Sequence, residues 1–204
     1  MWELLESIEN SGWAVAIRES PSGMGYVTVL ALHTFGMAFL VGLSAAFAAR
    51  VLGVFPELPL GPFKKFSPLI YLGFWLNAAT GVILTALSAR SFFTNVDYYI
   101  KMAAIACALV TLWALRKEAF GDPALAGTKP APVKAKVLAG AMILFWGIAV
   151  TAGRLTAYSG FVRRETSIAV FIVTVLLLVG YFIVRAASPT KAAHQAEVRT
   201  SANY

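Results

Sequence analysis

Five side chains stand out because each is polar or ionisable inside an otherwise apolar run: His33, Asn77, Thr80, Lys101 and Arg154. Such groups are expensive to place in hydrocarbon, so each is a candidate functional residue. His33 offers the widest chemistry. An imidazole there ligates haem iron or copper, relays a proton, or sits neutral, donating to a carbonyl and accepting from Asn77 or a hydroxyl. Met37 follows four residues later on the same helical face, as a soft second ligand or as plain packing. Lys101 and Arg154 suit an anionic or electron-rich group such as haem propionates, a lipid headgroup or a quinone carbonyl, and Arg154 adds a bidentate fork. Both can instead snorkel to the membrane surface. Asp97, four residues before Lys101, is spaced to pair with it.

The elements that must position these residues follow from the charge pattern. A helix needs about 20 apolar residues to cross the hydrocarbon core. Uncharged or nearly uncharged windows predict five spans, near Met24–Ala49, Ser67–Ala89, Val96–Leu115, Val137–Tyr158 and Ser167–Arg185. The alternating ten-residue segments of a membrane β-barrel are absent. The expected fold is therefore all-α, an integral membrane bundle of five transmembrane helices. At roughly 1.5 Å per residue, His33 lies about 13 Å into the first span, near the midplane, while Lys101 and Arg154 lie about one turn inside theirs.

Composition narrows the function classes. Of 204 residues, 59% are hydrophobic and 13% charged, and the mean hydropathy is +0.73. A soluble domain is nearer 45–50% apolar and about 25% charged, so a soluble enzyme, a disordered chain and a repeat solenoid are excluded. Cys107 is the single cysteine, which excludes a disulfide framework, a cysteine-based zinc site and an iron–sulfur cluster. There is no glycine-rich phosphate loop, no histidine–glutamate zinc motif and no serine, histidine and acid set on one side. The only other histidine is His194, far along the chain. One copy therefore cannot supply two intramembrane histidines, and a haem at His33 would need a methionine, a partner's histidine or a second copy.

The positive-inside rule orients the bundle. With the N-terminus outside, the inner side collects Arg50, Lys64, Lys65, Arg116, Lys117, Lys129, Lys134, Lys136, Arg185, Lys191 and Arg199. The outer side keeps only Arg18, Arg90, Arg154, Arg163 and Arg164. The expected topology is N-outside and C-inside, and the net charge of +7 reflects topology and contact with anionic lipid rather than nucleic-acid binding. Residues 1–22 interleave Trp2, Leu4, Leu5, Ile8 and Trp13 with Glu3, Glu6 and Glu9. This predicts an amphipathic interfacial helix, broken at Ser11-Gly12, rather than a secretory signal. It serves as a surface cap or as a docking surface. The bundle occupies 23–187, and 188–204 reads as a flexible cytoplasmic tail. Gly42 with Ala46, and Gly140, Gly147 and Gly153 with their neighbouring alanines, predict close helix packing and permit self-association.

Leu32-His33-Thr34-Phe35-Gly36-Met37, then Val51-Leu52-Gly53, and Gly153-Arg154-Leu155-Thr156-Ala157-Tyr158 closing a later span resemble a family of small bacterial inner-membrane proteins of unknown function. The resemblance covers roughly residues 14–160. Where that pattern carries an acidic residue shortly before its histidine, this chain has Leu30 and Ala31. The pattern is also distantly similar to copper-resistance membrane proteins and to cytochrome-b-like subunits. It implies that His33, Lys101 and Arg154 are the positions that matter.

The resulting expectation is a bacterial inner-membrane subunit of a redox complex. It would hold a b-type haem or a quinone in the outer half of the bilayer, using His33, Met37, Asn77, Lys101 and Arg154, and exchange electrons with a periplasmic-side partner. The alternatives are a non-redox scaffold subunit of a larger assembly and, less favoured, a copper or small-solute permeation subunit; no inverted repeat or broken helix pair is visible.

Overall fold

The computed structural model describes residues 2–20, 24–121 and 130–156, together with Glu165, Ile168 and Ile172. All regular structure among the described residues is helical. Two short helices, α1 (Trp2–Glu9) and α2 (Gly12–Arg18), precede α3 (Tyr26–Leu52), a 3₁₀ helix (Gly61–Phe66), α4 (Ser67–Leu87), α5 (Ala89–Phe93), α6 (Val96–Gly121) and α7 (Val133–Leu155). Four helical stretches are long and apolar enough to cross a membrane: Tyr26–Leu52, Gly61–Leu87, Val96–Gly121 and Val133–Leu155. This is the pattern of a multi-pass membrane protein. The expected fifth span, apart from Ile168 and Ile172, and the tail from 188 lie outside the described residues.

Local chemistry sets the helix ends. Gly53 takes a left-handed conformation (φ 86°) after α3 and donates its N–H to the Arg50 carbonyl, while Val54 N–H reaches the Ala49 carbonyl. That paired closure requires the backbone freedom of glycine. Asn95 starts α6 by accepting the Asp97 N–H on its Oδ1 at 3.0 Å. Pro132 precedes α7, where a missing N–H costs nothing. Two ends differ from the hydropathy reading. α6 runs on through Arg116, Lys117 and Glu118 to Gly121, and α7 begins at Val133, ahead of Lys134 and Lys136. Charge marks where hydrocarbon stops, whereas the backbone continues to hydrogen-bond beyond it.

α3 packs on α4 and α7, and α7 packs on α6. Both helices of the α6–α7 pair bury alanines: Ala104, Ala108 and Ala119 on one, Ala135, Ala139, Ala149 and Ala152 on the other. Lipid gives apolar surfaces no drive to associate, so close approach of small residues holds such a pair together. Outward faces carry Trp75, Val82, Val110 and Leu144, all well exposed, as a lipid-facing surface would. Phe47 stacks on Phe120 (5.3 Å) and tilts against Phe63 (5.9 Å). Nearby, Arg116 donates to Ser67 Oγ and lies over the rings of Tyr71 and Phe120. These contacts close α4 onto α6 at what we term the Arg116 end. Tyr26, Leu87, Val96 and Leu155 mark the opposite, His33 end.

The predicted N-terminal helix is two helices, parted at Asn10–Ser11. They pack on α4 and α5 at the His33 end. Arg18 Nη1 donates to the carbonyls of Leu87 (3.2 Å) and Glu9 (3.3 Å), and Glu9 Oε2 accepts the Arg90 N–H (3.2 Å). The apolar side chains of Trp2, Leu4, Ile8 and Trp13 remain exposed.

Glycine placement corrects one expectation. A Cβ added at Gly42, Gly140 or Gly147 would meet nothing within 4 Å. The tight crossing instead lies between Gly36 of α3 and Gly73 of α4.

Candidate functional site

The α3–α4 crossing brings His33 and Asn77 together. A Cβ at Gly36 would lie 2.6 Å from the Asn77 backbone nitrogen, and one at Gly73 would lie 2.8 Å from that of Leu40. Only bare glycine backbone permits this approach. Gly81 provides room for the imidazole: a Cβ there would sit 3.2 Å from His33 Cε1.

His33 Nδ1 lies 3.0 Å from the Asn77 carbonyl oxygen and 3.1 Å from Thr80 Oγ1. A carbonyl can only accept, so the network assigns the ring proton to Nδ1. Thr80 hydroxyl donates back to the Leu76 carbonyl at 2.6 Å, which turns a lone pair toward the ring. Asn77 Nδ2 donates to the His33 carbonyl at 2.8 Å and stands 3.4 Å from His33 Nε2. The half-buried histidine therefore fastens α3 to α4 through both ring nitrogens and its own carbonyl. This is the arrangement of a neutral imidazole that donates to a carbonyl and accepts from Asn77.

Lys101 approaches from α6. Its Cδ, Cε and Nζ would lie 3.3, 3.4 and 3.6 Å from a Cβ at Gly153, so the chain lies across the bare backbone of α7. Lys101 itself is half-buried. No described residue forms a hydrogen bond or an ion pair with it. Arg154 is exposed and stands beside Gly153 on α7. Consecutive helical residues point about 100° apart, so Arg154 does not share the direction of Gly153 toward Lys101. Met37 is half-buried one turn along α3 from His33.

As arranged, these residues do not fit a haem iron or a copper ion. A ligating imidazole needs a free nitrogen, and His33 Nε2 faces the Asn77 amide. No group of three or more histidine, cysteine or acidic side chains able to hold a metal forms among the described residues. A quinone carbonyl fits better, because an ammonium donor is what it would accept from.

Three residues escaped the sequence reading. Arg50, placed there at the edge of a span, is only 2% exposed, and its Nε donates to the Leu58 carbonyl. Ser44 is fully buried and bonds the Leu40 carbonyl at 2.6 Å. Trp146 is buried in the bundle core, and its indole N–H has no hydrogen-bond partner among the described residues. A tryptophan nine residues from the end of α7 is too deep for an interfacial belt, which was its one legible signal.

The His33 fastening gives a direct expectation. Hydrogen bonds between membrane helices contribute about 0.6–1.7 kcal/mol each. His33→Ala removes the ring contacts and leaves a void beside Gly81, so it should destabilise the bundle by about 2 kcal/mol while membrane insertion persists. Thermal unfolding in detergent measures this, and an unchanged midpoint would remove His33 from the α3–α4 contact.

No known protein family, curated protein or solved structure matches this chain.

Proposed function

We propose that the chain is a multi-pass subunit of a redox complex in a bacterial inner membrane, and that it receives a quinone headgroup at the His33 end of the bundle. One observation carries the reading. Lys101 lays a half-buried ammonium across Gly153, and no described residue forms an ion pair with it. A cation in that setting calls for an anionic or electron-rich ligand. A bound quinone would supply two-electron redox chemistry. The chain supplies position and charge: Lys101 donates to a headgroup oxygen, and His33 with Asn77 sets the α3–α4 wall beside it.

Sidedness follows from charge. Arg50, Lys64, Lys65, Arg116, Lys117, Lys134 and Lys136 gather at the Arg116 end, which the positive-inside rule places in the cytoplasm. The His33 end then faces the periplasm. There α1 and α2, with Trp2, Leu4 and Trp13 exposed, lie at the interface as an amphipathic surface on which a periplasmic partner or lipid rests. A non-redox scaffold is the second reading. It is favoured by the self-contained hydrogen bonding of His33, which needs no ligand to be satisfied.

Calorimetric titration of the detergent-purified protein with a short-chain ubiquinone tests the proposal. The wild type should bind, and Lys101→Met should weaken binding about ten-fold or more, the worth of a charge-assisted hydrogen bond, with unchanged thermal stability. No binding, or equal binding by both proteins, would leave the scaffold reading. A reduced-minus-oxidised visible spectrum with a sharp b-haem band would overturn the preference for quinone over haem.

A further inference from the structure

At the Arg116 end, residues of α6 and α7 line a groove of about 440 Å³, among them Trp113, Lys117, Glu118, Gly121, Lys134 and Leu138. Its residues are graded along the helix axes. Trp113 and Leu138 form the wall nearer the middle of the bundle. Lys117, Glu118 and Lys134 stand nearer the end. Trp113 is 66% exposed, and Val110, one turn deeper on the same face of α6, is 64% exposed. The groove therefore opens onto the surface that faces lipid.

Lys117 Nζ lies 5.6 Å from the centre of the Trp113 ring, and Lys134 Nζ lies 2.7 Å from Glu118 Oε2. Lys134 is thus paired with Glu118 while Lys117 lies over the indole, so the described lining carries two ammonium groups against one carboxylate. Position 121 carries no side chain, and among the described residues a Cβ there would meet nothing within 4 Å.

We infer that this groove holds the phosphate of an anionic phospholipid, with an acyl chain running along Trp113 and Leu138. Basic recesses between helices on the cytoplasmic side suit such headgroups, and an exposed indole at this depth suits the boundary between headgroup and chain. Lys117 meets the phosphate directly. Lys134 meets it by sharing its ammonium with Glu118. Free phosphate offers the same charge, but it would leave the apolar wall wet and gain nothing from Trp113. The inference does not depend on the quinone reading, because it uses the opposite end of the bundle.

The test uses the full chain, purified from vesicles of mixed phosphatidylcholine and phosphatidylglycerol, with retained lipid counted by native mass spectrometry. The double variant Lys117→Gln/Lys134→Gln should retain about ten-fold less phosphatidylglycerol than the wild type. Lys64→Gln/Lys65→Gln removes the same charge from the 3₁₀ helix and should retain nearly as much as the wild type. Glu118→Gln frees Lys134 and should raise retention, a gain that a folding defect cannot imitate. Equal losses in both double variants would show diffuse surface attraction and overturn the site, as would Glu118→Gln without a gain. Titration with inorganic phosphate separates the two sources: phosphate binding without selective retention of phosphatidylglycerol would also overturn it.

Discussion

Replacing Gly73 by valine is expected to force α3 and α4 apart at a cost of at least about 3 kcal/mol. The new Cβ would lie 2.8 Å from the Leu40 nitrogen and 2.9 Å from the Gly36 carbonyl oxygen. Both are backbone atoms, so no rotamer change relieves the overlap. Gly36→Val meets the same obstacle from the other side, 2.6 Å from the Asn77 nitrogen. Lipid adds a second penalty, because separated helices lose their packing contacts and no hydrophobic force draws them back. The His33–Asn77 hydrogen bonds cross this seam and must lengthen with it. Unfolding in denaturing detergent measures the effect, with Gly42→Val and Gly140→Val as partners that should change stability little. A Gly73→Val protein as stable as the wild type would show that the helices do not approach so closely.

Arg50→Ala is the other large effect expected. The arginine fills a nearly closed site at the end of α3 and donates through Nε to the Leu58 carbonyl. Truncation leaves a void and strips that carbonyl of its donor. Together these should cost about 3 kcal/mol. The positive charge also suits the last turn of α3, where helix carbonyls converge. Arg50→Met keeps most of the volume and should fall between alanine and the wild type. Limited proteolysis provides a local readout, since residues 53–60 should be cut faster in Arg50→Ala. Unchanged unfolding and unchanged cleavage would show that Arg50 holds nothing there.

Hydropathy made the four long helices and their order legible, because uncharged runs of span length have few other uses. It could not say which small residues meet a neighbour. Gly42, with Ala46 four residues on, carries the small-residue spacing, whereas Gly36 has Leu40 and Gly73 has Asn77 at that position, so only the fold reveals the pair that meets. Depth along a span put His33 near the midplane and Lys101 about one turn inside its own, but depth says nothing about direction. The contact of Lys101 with Gly153 therefore emerged only in three dimensions, as did the outward position of Arg154. The burial of Arg50 was not legible for a simple reason. Its charge marks the edge of a span, but only the fold shows that the chain returns through Leu58 and covers it.

The closure formed by Arg18 and Glu9 has a consequence for how the protein is made. Glu9 and Arg90 are 81 residues apart, and Arg18 and Leu87 are 69 apart. At about 5–20 residues per second, a ribosome needs roughly 4–16 s to supply Arg90 after Glu9. Throughout that interval α1 and α2 have nothing to close upon. Their docking thus dates the completion of the first helical hairpin. A nascent chain stalled before Leu87 leaves α1 and α2 undocked, while one that has passed Arg90 has the partners that hold them in place.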